Sequence, residues 1–269
     1  MGEPLPADFA VPLRLTAPRR GPIGEPLHFF SETTSTNDVA ARLAEQGVAE
    51  GSTVVALAQT AGRGRLGRTW YSPAGAGLYV SVIFRTPGIA PYLTLAGGVA
   101  VAEGITRATG LPLEIKWPND IVTRRAEPRE PWRKLAGILA EAASGPGGVQ
   151  HVVLGFGINL QPAAYPPEIA GRATSIETEL GRPVDAGTVL AETLAALAAV
   201  RARLADGDTA GVLEQWRDLA PGVQGRAVEW ESGDALLTGT TAGIDDAGAL
   251  LVRTAAGLTR IISGDVRWR

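Results

Sequence analysis

The chain has no cysteine, two histidines and one methionine in 269 residues. Without cysteine it has no disulfide, no thiolate zinc site and no cysteine nucleophile, which suits a reducing compartment. His28 and His151 are too few for a multi-histidine metal centre, and both stand in aromatic or apolar surroundings that read as strand. No metal-ligating set is visible, so any essential divalent ion would be held by oxygen, as magnesium is when substrate phosphates supply part of its shell. An apolar leader is also missing: the first fifteen or so residues carry charges and prolines, and Pro6 stands where a myristoylation signal wants Ser or Thr. The Ala-rich run near Leu194 is broken by Glu192 and Arg201, too soon to cross a bilayer. The expectation is a cytoplasmic protein with no membrane partner. A net charge of −3 argues against a general nucleic-acid binder.

One further absence points toward a site. No Asp or Glu occurs between Glu50 and Glu103, and inside this acid-free stretch lies Gly62-Arg63-Gly64-Arg65-Leu66-Gly67-Arg68-Thr69-Trp70. Glycine lets backbone approach a ligand closely, and arginine supplies forked, permanently charged donors for carboxylate or phosphate. An exposed basic loop or a nucleic-acid patch is the plainer reading. The run is not a P-loop, because no Gly-Lys-Ser/Thr follows it.

The first 25 residues or so, rich in Pro and Arg, read as a loosely held extension. Strands are predicted at 27–31, 53–58, 78–85, 113–117, 121–123, 134–142 and 149–160, with helices at 36–46 and 91–109. Residues 124–133, with six charges and two prolines, suggest a surface hairpin tip. Leu190, Leu194, Leu197 and Leu204 mark one face of a long helix, continued at 212–219. After Pro221-Gly222, four or five short strands alternate with glycine turns, as in a small SH3-like barrel, and Asp246-Ala247-Gly248 is a plausible hairpin loop.

Several polar residues fit a purely structural reading poorly. Ser35-Thr36-Asn37 sits at a strand-to-helix turn, where an N-cap is the alternative. Lys116-Trp117-Pro118-Asn119-Asp120 sends a lysine out of a strand into a turn. Lys134 opens an otherwise apolar strand with Gly137 in it, and Gly155-Phe156-Gly157-Ile158-Asn159 closes another with a single amide.

In this order, Ser35 to Asn37, Gln59 with Gly62 to Trp70, Lys116 to Asp120, Lys134 to Leu139 and Gly155 to Asn159 resemble the biotin protein ligases. The likeness runs from about residue 27 to the end. The glycine-arginine run together with the Lys-Trp-Pro-Asn-Asp turn is its specific part, and lipoate ligases carry a different glycine-rich signature. The resemblance implies an α+β fold of the biotin/lipoate ligase, class II synthetase-like type. A mixed β-sheet catalytic domain flanked by helices (26–221) would follow an N-terminal extension (1–25) and precede an SH3-like β-barrel (222–269).

It also implies an ATP-dependent reaction. Biotin becomes biotinyl-5′-AMP, and the biotinyl group passes to a lysine of a biotin carboxyl carrier protein of acetyl-CoA carboxylase or a related carboxylase. By resemblance Ser35, Thr36, Asn37 and Gln59 surround the ureido ring, while Arg63, Gly64, Arg65 and Lys134 meet the biotin carboxylate. Arg63, Lys134 and Asp120 form the catalytic set, with Asp120 orienting Lys134 or a Mg2+ ion, or else merely capping its turn. Arg65, Arg68, Trp70, Lys116, Asn119, Asn159 and Arg269 serve ATP, Trp70 by stacking on adenine and Asn159 by reading its edge. Family members dimerise through their central sheets, and the apolar strands at 135–139 and 149–154 would permit that or simply suit a monomer core. Some members add an N-terminal DNA-binding domain; this chain starts too close to the catalytic region to hold one, so no DNA binding is expected. The rival readings are a non-catalytic biotin or adenylate sensor, a nucleic-acid-binding protein, and a ligase for another carboxylic acid.

Overall fold

The computed structural model describes residues 2–123, 132–233 and 235–268. The expected hairpin tip lies mostly outside these residues, as does Arg269. Seven strands form one sheet: β1 (Leu27–Phe30), β2 (Thr53–Ala56), β3 (Gly77–Phe84), β4 (Leu113–Lys116), β5 (Asp120–Thr123), β6 (Lys134–Gly145) and β7 (Gly148–Asn159). Their order is β1-β2-β3-β7-β6-β5-β4, with β1 and β2 parallel and the other neighbours antiparallel. The strands at 135–139 and 149–154 are thus interior strands, flanked on both sides. Their apolar character serves the core rather than an open sheet edge.

The two faces of the sheet are covered unequally. Leu78, Val80, Val82 and Phe84 alternate with Tyr79, Ser81 and Ile83 along β3, so the strand is apolar on both sides. On the first face lie α1 (Ala7–Arg20), α3 (Leu93–Thr109) and α6 (Ala186–Ala205), which share one core with Leu154, Phe156 and Ile158. These helices cross closely: a side chain on Gly104 of α3 would collide with Thr193 of α6. The segment Pro87–Thr109, a 3₁₀ turn and α3, is long and apolar enough to span a bilayer, yet 67% of its apolar window is buried in the fold. On the second face α2 (Thr36–Glu45) packs Ala40 and Ala44 on Val54, Ile83 and Val153, and covers only part of the sheet. The uncovered part is where the site lies.

The N-terminal segment departs from the sequence reading. It is not loosely held: α1 is a fourteen-residue helix whose Phe9, Leu13, Thr16 and Arg20 recur at helical spacing and are buried. Arg20, 3% exposed, is satisfied by the carbonyls of Leu13 and Ile23 and by Thr16 Oγ1. The prolines at 12 and 18 do not prevent this packing. Glu3 pairs with Phe29 at the sheet edge.

The remaining helices are α4 (Pro167–Ala170), α5 (Ile176–Leu180) and α7 (Thr209–Leu219). Ser175, Asp185 and Asp208 cap α5, α6 and α7 by accepting from backbone N–H groups in the first turn. Then β8 (Gln224–Ser232), β9 (Ala235–Ile244), β10 (Leu250–Thr254), β11 (Gly257–Ile261) and β12 (Val266–Trp268) form an antiparallel sheet in the order β11-β10-β9-β8-β12. The expected turn joins β9 to β10, with Gly248 at φ +80° donating its N–H to Asp245 O. This sheet docks on the first: Trp117 Nε1 donates to Gly248 O at 3.0 Å, and Trp268 stands edge-on to Trp132.

Candidate active site

One register row crosses the uncovered part of the large sheet: Lys116, Asp120, Gly137, Gly157 and Tyr79 are successive partners on β4, β5, β6, β7 and β3. The next row carries Leu139, Gly155 and Ser81. The three glycines make a floor without side chains. A Cβ at Gly155 would collide with Asn37 Oδ1, one at Gly157 with the Trp70 indole, and one at Gly137 would come within 2.9 Å of that ring. Above the floor is a cavity of about 730 Å³, a size typical of small-molecule sites.

At one end of the cavity lies a buried, largely neutral network, joined to a charge only where Asn37 Nδ2 donates to Glu141 Oε2 at 2.6 Å. Gln59 Oε1 accepts from the backbone N–H and the hydroxyl of Thr36, at 2.8 and 3.2 Å. Gln59 Nε2 donates to Ser72 Oγ at 3.1 Å. Ser81 Oγ lies 2.8 Å from Thr36 Oγ1 and 2.6 Å from Asn37 Oδ1, so its single proton can serve one of them at a time. Ser35 is at the N-cap position of α2 but makes no side-chain cap bond, which leaves its buried hydroxyl on the cavity wall.

The glycine-arginine loop closes over this face. Gly62 accepts from Trp70 N, Gly64 donates to Arg68 O, and between them Leu66 adopts φ 56°, the one non-glycine positive φ among the described residues. The acid-free stretch of sequence does not leave these arginines free of acids in space. Arg63 Nη2 lies 2.8 Å from Asp38 and 2.9 Å from Glu141, and Arg68 Nη2 lies 2.7 Å from Asp265. Tertiary folding brings carboxylates from α2, β6 and the C-terminal sheet to a loop that has none nearby in sequence. Arg65 differs: it has no ion pair among the described residues, and its Nη1 donates to Asn119 Oδ1 at 3.4 Å. Burial lowers its pKa, opposed by the charge of Asp120.

Lys134 Nζ is 2.6 Å from Asp120 Oδ1 and 5.0 Å from the centre of the Trp70 ring. Lys116 also has no ion pair among the described residues. Burial pushes its pKa down, Asp120 opposes that, and Lys134 reinforces it. Asn119 Nδ2 donates to Ile138 O and Asn159 Nδ2 to Thr174 O, which fixes both amides on the wall. Seven Lys and Arg side chains line the cavity against two carboxylates, so it is an anion site by composition.

The structure therefore brings Ser35, Thr36, Asn37, Gln59, Arg63, Gly64, Arg65, Arg68, Trp70, Lys116, Asn119, Asp120, Lys134 and Asn159 to one cavity. Arg269 lies outside the described residues. Sequence reasoning missed Ser72, Ser81, Asp38, Glu141, Arg172 and Asp265. The hint for Asp38 was its place directly after Ser-Thr-Asn; Ser81, a polar residue fully buried in an apolar strand, was a second. The two histidines lie in β1 and β7, and neither lines the cavity.

Comparison with known proteins gives a consistent result. Residues 29–159 match the model of the biotin/lipoate A/B protein ligase family, and 224–267 match the biotin protein ligase C-terminal domain. The bifunctional ligase/repressor BirA of Bacillus subtilis is 36% identical, covering 91% of this chain and 74% of its own length. The biotin–[acetyl-CoA-carboxylase] ligase of Paracoccus denitrificans is 34% identical over 88% of this chain and 98% of its own. Among solved structures, the biotin protein ligase from Aquifex aeolicus in complex with biotin and ATP superposes with a TM-score of 0.75 at 29% identity, covering 90% of this chain and 98% of that one.

Proposed function

This chain belongs to the biotin/lipoate A/B protein ligase family, and we infer that it activates biotin with ATP and passes it to a carboxylase carrier protein. The observation that carries this is the single cavity in which a neutral hydrogen-bonding pocket faces a cluster of seven cations. Biotin has the matching polarity, with a neutral ureido ring at one end and a carboxylate at the other.

We assign the residues accordingly. Ser35, Thr36, Asn37 and Gln59 meet the ureido ring, and Gly155 with Leu139 takes the bicycle and tail beside the Trp70 indole, which lies on Gly137 and Gly157. The biotin carboxylate lies between Arg63, with the backbone of Gly64, and Lys134. One of its oxygens attacks the α-phosphorus of ATP, a new P–O bond forms, and the bond to the β-phosphate oxygen breaks with release of pyrophosphate. Two anions must meet for this, so fixed cations at Arg63, Arg65 and Lys134 lower the barrier. Asp120, 2.6 Å from Lys134, is the group that positions it. Arg65, Arg68 and Lys116 take the phosphates, Trp70 stacks on adenine, and Asn119 and Asn159 complete the nucleotide site. In the second step the carrier lysine nitrogen attacks the acyl carbon, AMP leaves, and Asp120 is placed to accept the ammonium proton.

Magnesium would arrive with ATP and neutralise its phosphates. No three His, Cys, Asp or Glu side chains among the described residues are grouped to hold an ion, so the phosphate oxygens would carry it. The reading keeps the protein off DNA, in line with its net charge of −3; a gel shift with its own promoter checks this. Sedimentation with and without ligand checks for a homodimer.

The test of the reading as a whole is biotin-dependent exchange of labelled pyrophosphate into ATP, with lipoate and octanoate in parallel. Exchange with biotin alone is expected. Equal exchange with the other acids would remove the substrate assignment, and none with any acid would remove the ligase reading.

A further inference from the structure

At the rim of the cavity several cations converge on one carboxylate. Asp265, in the turn before β12, accepts from Arg68 Nη2 at 2.7 Å. Burial pushes its pKa up, but Arg68 foremost, then Lys116 and Arg267, hold it low, so it is an anion at neutral pH. Its charge is also felt at Arg65 and at Lys116. Asp265 directly precedes β12 of the C-terminal sheet, while Arg65 and Arg68 lie on the loop between β2 and β3 and Lys116 ends β4, and all four line the same cavity.

Those three cations are the ones assigned above to the nucleotide phosphates. A carboxylate set among them stands where oxygens of an oligophosphate would stand, and two anions cannot share one guanidinium without repulsion. We propose that Asp265 is an internal competitor of the nucleotide phosphates, holding Arg68 in the empty protein and yielding it when ATP enters. The C-terminal sheet then does more than wall the cavity. It sets how strong an anion must be to open the arginine loop: a triphosphate with three cations to engage displaces Asp265, and a singly charged ion does not. After pyrophosphate forms, Asp265 recovers Arg68 and favours product release.

The inference rests on the phosphate assignment above, and the experiment separates the two. In pyrophosphate exchange, Asp265→Asn keeps the shape and removes the charge. The KM for ATP should fall by about two- to fivefold, the range expected for one largely exposed charge interaction. Inhibition by added pyrophosphate should tighten by a similar factor, with the KM for biotin unchanged. Asp265→Glu, which keeps the charge, should behave like the parent. A merely structural role for Asp265 would loosen nucleotide binding instead. In an Arg68→Gln background the gain from Asp265→Asn should shrink, and this comparison within one background stands even if the single variant is less stable. A raised or unaltered KM for ATP in Asp265→Asn, with pyrophosphate inhibition no tighter, overturns the inference. Loss of biotin-dependent exchange in the parent protein overturns instead the assignment on which it rests.

Discussion

The two ends of the cavity are built on opposite principles. Around Gln59 and Thr36, neutral groups bond to one another on the rigid end of α2 and the buried strand β3. Around Arg65 and Lys116, charges exceed their partners and stand on loops and strand ends. A satisfied neutral network discriminates, because a ligand lacking the right donors leaves buried groups unpaired. An excess of fixed charge accelerates, because it matches the charge of a transition state. Selectivity and rate are thus assigned to different ends of one cleft.

The largest test of that division is Lys134→Ala, expected to lower the single-turnover rate of adenylation by ~10²–10³, with biotin still selected over lipoate. Loss of selectivity along with rate would break the comparison. Next, Gly155→Ala places a methyl against Asn37 Oδ1. It should raise the KM for biotin by about 5- to 150-fold, as ~1–3 kcal/mol of displaced hydrogen bonding would, and leave the KM for ATP alone. A matching rise in the KM for ATP would show that the two ends are not separate. Ser81→Ala removes one donor beneath Thr36 and Asn37, and we expect about a fivefold rise in the KM for biotin, near ~1 kcal/mol.

The smallest effect concerns stability away from the site. Glu50, at the other end of β2 from the arginine loop, accepts from Arg85 N and pairs with Arg201. Burial pushes its pKa up, but these partners outweigh it and hold the value below the ordinary 4.5. A carboxylate whose folded pKa is depressed stabilises the protein above its unfolded pKa, and that contribution fades as pH falls through the folded value. Thermal unfolding should therefore lose a component below about pH 4.5, and Glu50→Gln should lose it at neutral pH with a flatter acid limb. An unchanged acid limb would remove Glu50 from the account, while a lowered ATP affinity in that variant would mean the two regions are coupled.

Much of the cavity could be read from the sequence because its residues contrast with their surroundings. Lys134 opens an apolar strand, Asn159 ends one, and the arginines lie among glycines. What could not be read was the partner of each charge. Asp38, Glu141 and Asp265 are ordinary acids until folding brings them to Arg63 and Arg68, and a one-dimensional inventory of charge cannot show that. The strands were legible as β-branched and apolar runs between turns, to within a few residues at their ends. The N-terminal helix was not, since the proline content of residues 1–25 hid the spacing of Phe9, Leu13, Thr16 and Arg20.

The row Lys116–Asp120–Gly137–Gly157–Tyr79 has a consequence for assembly of the chain. Its members come from five strands and meet only when four pairings are simultaneously in register. A slip of one residue in any of them would turn that strand's contribution to the opposite face, under the helices. A misregistered molecule would then be inert rather than partly active, and would bury polar groups among α3 and α6 at a cost that favours unfolding. The same pairings that build the site thus also fix the register of the sheet.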